Sequence, residues 1–313
     1  MAEGTPRSAA VLGIDVGGTK LLARVLDTSG TLIAEERFST GRDTTPDKLL
    51  RLVRRTVQSA RSTAEIHAVG VGFPGLTDTL RGVVRSSVIL NGWRNVSFAK
   101  MVTEATSLSC TLDNDVNNAA RAELAERGQG GRNMLFVAVG TGVGGAIILN
   151  GRLWSGCSGL AGEIGHVVVD RAGPRCLCGR RGCAGPRAAG EEIARRAGTS
   201  PDHAIDRALN GDGLTWQAIE RAAALLGRAV GNALNLLDVP LVVVGGGVAA
   251  LGDRYIQLVE RAVRSEVFPE IMANCRIEAA SAGYGAGATG AALLAGERFG
   301  FEVRRPGTRG ASG

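Results

Sequence analysis

Three short apolar runs open the chain, at residues 11–14, 21–26 and 32–38. The breaks between them, GGTK and Thr28-Ser29-Gly30, form turns, so the runs read as strands of an antiparallel meander. From Pro46 to about Ser62 the period lengthens, with Leu49, Leu50, Leu52, Val53 and Val57 on one side, as a helix requires. A strand over 68–73 runs into a Pro74-Gly75 turn. An irregular stretch follows, then a helix around 98–106, a strand at 110–112 and a helix over about 116–126. Strands and helices in this order predict an α/β fold.

The second half begins in the same way. MLFVAVGTGVGGAIILNG at 134–151 repeats the strand, glycine turn, strand order of VLGIDVGGTKLLARVLD at 11–27. Beyond it lie a long helical pattern at 214–237, a buried strand at 241–244 before Gly245-Gly246-Gly247, a helix at 255–267 and a small-residue helix at 287–294. Two related halves, each with a glycine turn after its first strand, predict two lobes with a phosphorylated ligand in a cleft. The expected division is a loose N-terminus (1–9), an N-terminal α/β lobe (10–117), a C-terminal α/β lobe (118–285), a closing helix returning to the first lobe (286–302) and a disordered tail (303–313).

Composition sharpens this picture. Glycine supplies 46 of 313 residues, about twice the usual ~7% share, and clusters beside apolar runs as turns and close backbone approaches require. The net charge of +6 invites a nucleic-acid partner, but Arg304, Arg305 and Arg309 of the tail supply half of that excess, and aromatics are only 4%. With few stacking platforms and no basic run elsewhere, nucleic acid is not expected. No apolar stretch reaches ~18 residues and no leader pattern is present, so the expected location is cytoplasmic, with no membrane partner. There the six cysteines are reduced or metal-bound.

Four motifs carry candidate chemistry. In GIDVGGTK (13–20), Asp15 ends a buried strand, and the N–H groups at Gly17 and Gly18 can cradle phosphate oxygens beside the Thr19 hydroxyl. Asp15 then suits Mg²⁺. The alternative is a tight hairpin with a surface acid. It is not a P-loop, because Lys20 follows the threonine and no helix starts there. GTGVGG (140–145) matches the dinucleotide fingerprint literally, but AIILNG continues as a second strand instead of a helix, so a Rossmann site is rejected. Thr141 and Gly142 instead resemble a second phosphate clamp. Asn114-Asp115 falls where a strand meets a helix, either as an acid held toward a cleft or as an N-cap.

The last motif is a ligand set. His166, Cys176, Cys178 and Cys183 form one Cys₃His group, with Gly179 and Gly182 letting the loop fold round an ion. Such a closed set suits structural, tetrahedral Zn²⁺, the alternative being unliganded thiols or a disulfide. Cys110, Cys157 and Cys275 read as buried thiols. A metal anchoring AGEIGH (161–166) would fix Glu163 and one histidine nitrogen while freeing the other to read sugar hydroxyls. By itself, Glu163 would be a solvated surface acid.

Together these residues closely resemble the ROK family of repressors, uncharacterised reading frames and sugar kinases, bacterial glucokinases in particular. The similarity runs in order over about 11–295: DVGGTK, GFPGLTD, DNDVNNAA, GTGVGGAI, AGEIGH, the cysteine loop, VVVGGGVA and GAGATGAALLA. The resemblance implies an actin-like ATPase fold and an ATP-dependent kinase with Mg²⁺. It implies that Asp115 takes the proton from a sugar's primary hydroxyl, while Asn114, Glu163, His166 and the backbone near Gly75 contact other hydroxyls. Gly17, Gly18, Thr19, Lys20, Thr141 and Gly142, with Asp15, would hold ATP phosphates, and Gly245, Gly246 and Gly247 would lie near the adenosine. It also implies a homo-oligomer, dimer or tetramer.

One departure stands out. Sugar kinases of this family usually carry a sugar-binding glutamate two residues after the last zinc cysteine, where this chain has Gly185. Glucose, an amino sugar and a C7-cyclitol all remain candidate acceptors. A repressor would need a helix-turn-helix before the first phosphate strand, which begins near Val11. A non-catalytic sugar sensor would suit the absent glutamate, but Asp15, Asp115 and both glycine turns are intact.

Overall fold

A computed structural model describes residues 8–301 and Val303, apart from the Asp202 side chain. The chain forms two units, one of Gly131–Ala280 and one of the segments before and after it. The division therefore falls at 130/131 and 280/281, in place of the expected 117/118 and 285/286. The tail expected over 303–313, with Arg304, Arg305 and Arg309, lies outside the described residues except for Val303. So do residues 1–7 of the expected loose N-terminus, whereas Ser8 is described and Ala9 already belongs to a strand.

The first unit opens with β1 (Ala9–Val16), β2 (Lys20–Asp27) and β3 (Leu32–Ser39), the expected antiparallel meander. Helix α1 (Pro46–Thr63) follows. The Thr45 side chain caps it by accepting from the Lys48 N–H, Pro46 starts it without losing a needed donor, and Leu49, Val53 and Val57 bury its inner face. Each such buried aliphatic contributes about 1.5–3 kcal/mol. Then come β4 (Glu65–Phe73), β5 (Leu76–Asp78), β6 (Val83–Ser86), β7 (Arg94–Val96), α2 (Phe98–Thr106), β8 (Ser109–Asn114) and α3 (Asp115–Arg127). The sheet order is β3-β2-β1-β4-β8, with β4 and β8 parallel to β1. The stretch expected to be irregular is instead a separate small sheet, β5-β6-β7. Trp93 anchors it, wedged between Phe73 and Phe98 with its Nε1–H donated to the Thr44 carbonyl at 2.8 Å.

The second unit repeats this plan. It contains β9 (Met134–Val139), β10 (Val143–Leu149), β11 (Arg152–Leu153), α4 (Gly185–Ala188), α5 (Gly190–Ala197), α6 (Pro201–Leu209), α7 (Gly213–Leu237), β12 (Leu241–Gly245), α8 (Asp253–Arg264), α9 (Pro269–Asn274) and β13 (Arg276–Ala279). Its sheet order is β11-β10-β9-β12-β13, the same third-second-first-fourth-fifth order as in the first unit. The duplication legible in the sequence is thus a duplication of topology, as in the actin-like ATPase fold. Val139 pairs with Val143 across the Gly140–Gly142 turn, which confirms a hairpin there. No helix among the described residues is long and apolar enough to cross a membrane.

Helix α10 (Ala286–Phe299) returns to the first unit and packs on β1, β4 and α3. Its glycines and alanines let backbones touch: a Cβ on Gly70 of β4 would sit 1.8 Å from the Ala291 carbonyl oxygen. That contact explains the small-residue helix. Gly70→Ala is expected to lower unfolding stability by about 3 kcal/mol, since backbone must give way. Equilibrium urea unfolding measures this, and an unchanged midpoint would contradict the close approach.

Candidate active site and metal cluster

At the end of β1 the chain turns back through Gly17, Gly18 and Thr19 into Lys20 of β2. The Gly17 N–H donates to the Lys20 carbonyl at 2.8 Å, and the Thr40 hydroxyl donates to the Gly17 carbonyl at 2.8 Å, so the turn is braced from two sides. Asp15 lies just before it, enclosed by glycines. A Cβ on Gly287 would meet the Asp15 Cγ at 2.6 Å, and one on Gly72 would lie 3.4 Å from its Oδ1. Burial, and next the nearby Asp115 carboxylate, push the Asp15 carboxyl up to about 7, while Lys20 pulls it down. Some solvent contact remains. Two acids that repel each other beside a braced glycine turn fit a divalent cation, which removes the repulsion.

The strand-to-helix junction is built tightly. Asn114 is the N-cap of α3: its Oδ1 accepts from the N–H groups of Val116 and Asn117 at 2.9 and 3.2 Å. Its Nδ2 donates to the Gly75 carbonyl at 3.1 Å. The capping reading and the site reading thus divide between neighbours, since Asn114 caps and Asp115 occupies the first helical position, half-buried. Beneath them Asp113 is buried. It accepts from the Thr79 hydroxyl, the Asn114 N–H and Asn117 Nδ2, and pairs with Arg121 at 2.6 Å. Asp113, Asn118 and Arg121 were not singled out from the sequence. The signal for Asn118 was its spacing of three from Asp115, one helical turn.

In the second unit the Gly140–Gly142 turn is closed by the Gly140 N–H donating to the Gly142 carbonyl at 2.9 Å, and Thr141 and Gly142 are exposed. The Gly245–Gly247 turn is its neighbour, because a Cβ on Gly246 would lie 2.4 Å from the Val139 carbonyl oxygen. Loop 161–166 lies on β10. A Cβ on Gly165 would approach the Val143 carbonyl oxygen to 2.0 Å, and one on Gly145 the Gly162 carbonyl oxygen to 2.7 Å. Gly145, one of the fingerprint glycines, therefore serves packing. Glu163 Oε2 is 3.9 Å from His166 Nε2. Surrounding protein raises the Glu163 carboxyl and His166 lowers it, although 41% of its side chain is exposed, which limits the rise.

The other imidazole nitrogen, His166 Nδ1, faces Cys176 Sγ at 3.5 Å, and Cys178 Sγ lies 3.6 Å from Cys183 Sγ. All four ligand atoms lie within 4.8 Å of one another. Tetrahedral bond lengths of about 2.3 Å to sulfur and about 2.0 Å to nitrogen require separations near 3.8 and 3.5 Å. The two contacts above match those separations, so the set fits Zn²⁺ once its wider pairs, at most 4.8 Å, draw in. Glu163 and the cluster thus share His166 through opposite ring edges. Cys275 is buried and Cys110 partly so, but Cys157 is exposed, on the loop after β11, contrary to the expectation of a buried thiol.

The site residues divide by unit. Asp15, Gly17, Gly18, Thr19, Lys20, Gly75, Asn114 and Asp115 belong to the first, and Thr141, Gly142, Glu163, His166, the three cysteines and Gly245–Gly247 to the second.

Comparison with known proteins adds four findings. The pattern of the ROK family matches residues 11–298. A glucokinase of Halalkalibacterium halodurans is 30% identical over 310 residues, covering 90% of this chain and 94% of the relative. An N-acetylmannosamine kinase of Shigella flexneri is 33% identical over 297 residues, covering 91% and 98%. Among solved structures, a ROK glucokinase from Streptomyces griseus in complex with glucose and AMPPNP superimposes with a TM-score of 0.82 at 26% identity, covering 92% of this chain and 99% of that one.

Proposed function

The chain belongs to the ROK family and is an ATP-dependent sugar kinase, and on that premise we propose that it phosphorylates the primary hydroxyl of glucose or a close glucose-like analogue. The observation that carries the proposal is the pairing, in one unit, of Asp115 at the start of α3 with Asp15 beside the Gly17–Thr19 turn. Phosphoryl transfer asks a protein mainly for positioning and charge stabilisation. Asp115 accepts the hydroxyl proton as the hydroxyl oxygen bonds to the γ-phosphorus, and the bond to the β–γ bridging oxygen breaks to release ADP. Asn114, the backbone near Gly75, Glu163 and His166 are assigned to the remaining hydroxyls. Asp15 and Lys20 are assigned, with the Gly17–Thr19 and Thr141-Gly142 turns, to the triphosphate, and Gly245, Gly246 and Gly247 to the adenosine side. Mg²⁺, held on the Asp15 side, would supply positive charge to the phosphate oxygens.

Sugar-dependent ADP release tests the proposal, with the phosphorylated carbon read by phosphorus NMR. A panel of glucose, amino sugars and cyclitols that elicits no ADP above the sugar-free rate contradicts it.

A second reading concerns the acceptor. Relatives named for glucose and for N-acetylmannosamine are similarly distant, and Gly185 replaces the carboxylate expected there. Gly185 opens α4, and its Cβ position is 3.2 Å from the Gly165 carbonyl oxygen, beside the Glu163–His166 loop. An amino sugar or a C7-cyclitol is the alternative acceptor. Gly185→Glu is expected to raise kcat/KM for glucose relative to those competitors by about tenfold, the effect of one regained polar contact. An unchanged ratio removes Gly185 from specificity.

A further inference from the structure

Asn118 lies one turn beyond Asp115 on α3, with no solvent exposure. Its Oδ1 accepts from Arg121 at 3.1 Å. A guanidinium only donates, so this contact fixes which way the carboxamide faces. Arg121 is in turn held by the buried Asp113. The amide nitrogen is therefore turned away from Arg121, and it meets no acceptor among the described residues. A buried amide N–H without an acceptor is costly unless a ligand oxygen supplies one.

The place it faces is defined by Gly72. A Cβ there would lie 3.1 Å from Asn118 Nδ2, 3.4 Å from Asp15 Oδ1 and 3.6 Å from the Asp115 Cα. The absent side chain leaves a gap walled by the amide donor, the Asp15 carboxylate and the start of α3. The gap is polar on two sides, as a bridging water requires.

We infer that Asn118 is a positioning residue for Asp15: its Nδ2 donates to one water lodged beside Gly72, which donates in turn to Asp15 Oδ1 and so fixes the rotation of that carboxylate. This rests on the kinase reading above, in which Asp15 serves the metal-nucleotide. Arg121 and Asp113 set the direction of the amide, and Gly72 and Gly287 leave the carboxylate its room, which the bridge then restricts to one orientation. Asn118 thereby acts on the nucleotide half of the reaction and leaves the sugar half alone.

The test is Asn118→Leu, which keeps the volume and removes the donor along with the Oδ1 contact to Arg121, a guanidinium that Asp113 still holds, with Asn118→Ala in case the branched side chain does not fit. Calorimetry measures binding of the magnesium complex of a non-hydrolysable ATP analogue, and steady-state kinetics gives the two KM values. The expected result is about tenfold weaker binding of the magnesium-nucleotide, the effect of losing one hydrogen bond to a charged group. The KM for ATP rises with it, the KM for sugar stays within about twofold, and the melting temperature does not fall. A folded variant with wild-type nucleotide affinity overturns the inference. So do parallel losses for sugar and nucleotide with a lowered melting temperature, which mark a packing role. Failure of the wild-type protein to bind the magnesium-nucleotide overturns the kinase reading, and this inference with it.

Discussion

Asp115→Asn is expected to lower kcat for sugar phosphorylation by about 10²–10⁴-fold while changing the sugar KM far less, because the removed group is the proton acceptor. The substitution is nearly isosteric, and the cap of the helix does not depend on the charge. Asn114, not Asp115, caps α3 through Val116 and Asn117. Asp115 itself accepts from the Val116 N–H at 3.0 Å, a contact the Asn carbonyl oxygen can keep. The change also removes the carboxylate that raises Asp15, so the helix start should be no less stable. A fall in kcat at an unchanged melting temperature is therefore a chemical effect. Stopped-flow or coupled ADP assays at saturating sugar measure it, and turnover within a few-fold of wild type would remove Asp115 as the base.

Much of this was legible in the sequence because the signals were local and doubled. The strand, glycine turn, strand pattern at 11–27 and again at 134–151 became two sheets of identical order. Asn114-Asp115 fell at a strand-to-helix junction, where the structure places it. The small sheet of β5, β6 and β7 was not legible, since strands of three or four residues are too short to establish a period. Its order comes from tertiary packing around Trp93. The boundary between units was misplaced for a similar reason. α3 continues from the first sheet, but what binds it there is remote in sequence: buried Glu123 accepts from the backbone of Ser281 and Ala282. The partnership of Asn118 with Asp15 was hidden too. It depends on two glycines, Gly72 and Gly287, whose meaning is the space they leave, and no spacing rule reports that.

Zinc removal should have the second-largest effect, on stability before chemistry. We propose that His166, Cys176, Cys178 and Cys183 hold one Zn²⁺ per chain. The intervening segment has little regular structure of its own: among the described residues, two isolated bridges, Val168 with Cys183 and Arg175 with Arg181, are its strand-like pairings. Cys183 is wholly buried and Cys176 nearly so, whereas Arg175, Leu177 and Arg180 are exposed, so beyond Val167 and Val169 the loop adds little apolar packing of its own. Zinc bound by isolated peptides contributes about 10–16 kcal/mol of apparent free energy. Even a third of that, at about 2–4 °C per kcal/mol for a unit of this size, lowers the melting temperature by on the order of 10 °C. Cys183→Ser should show the same drop and a metal content near zero by plasma emission spectrometry. Because His166 offers one ring edge to the cluster and the other to Glu163, metal loss should also raise the sugar KM well before it alters the KM for ATP. A metal-free protein with full activity and an unshifted melting curve would show that the four side chains need no ion to hold their places.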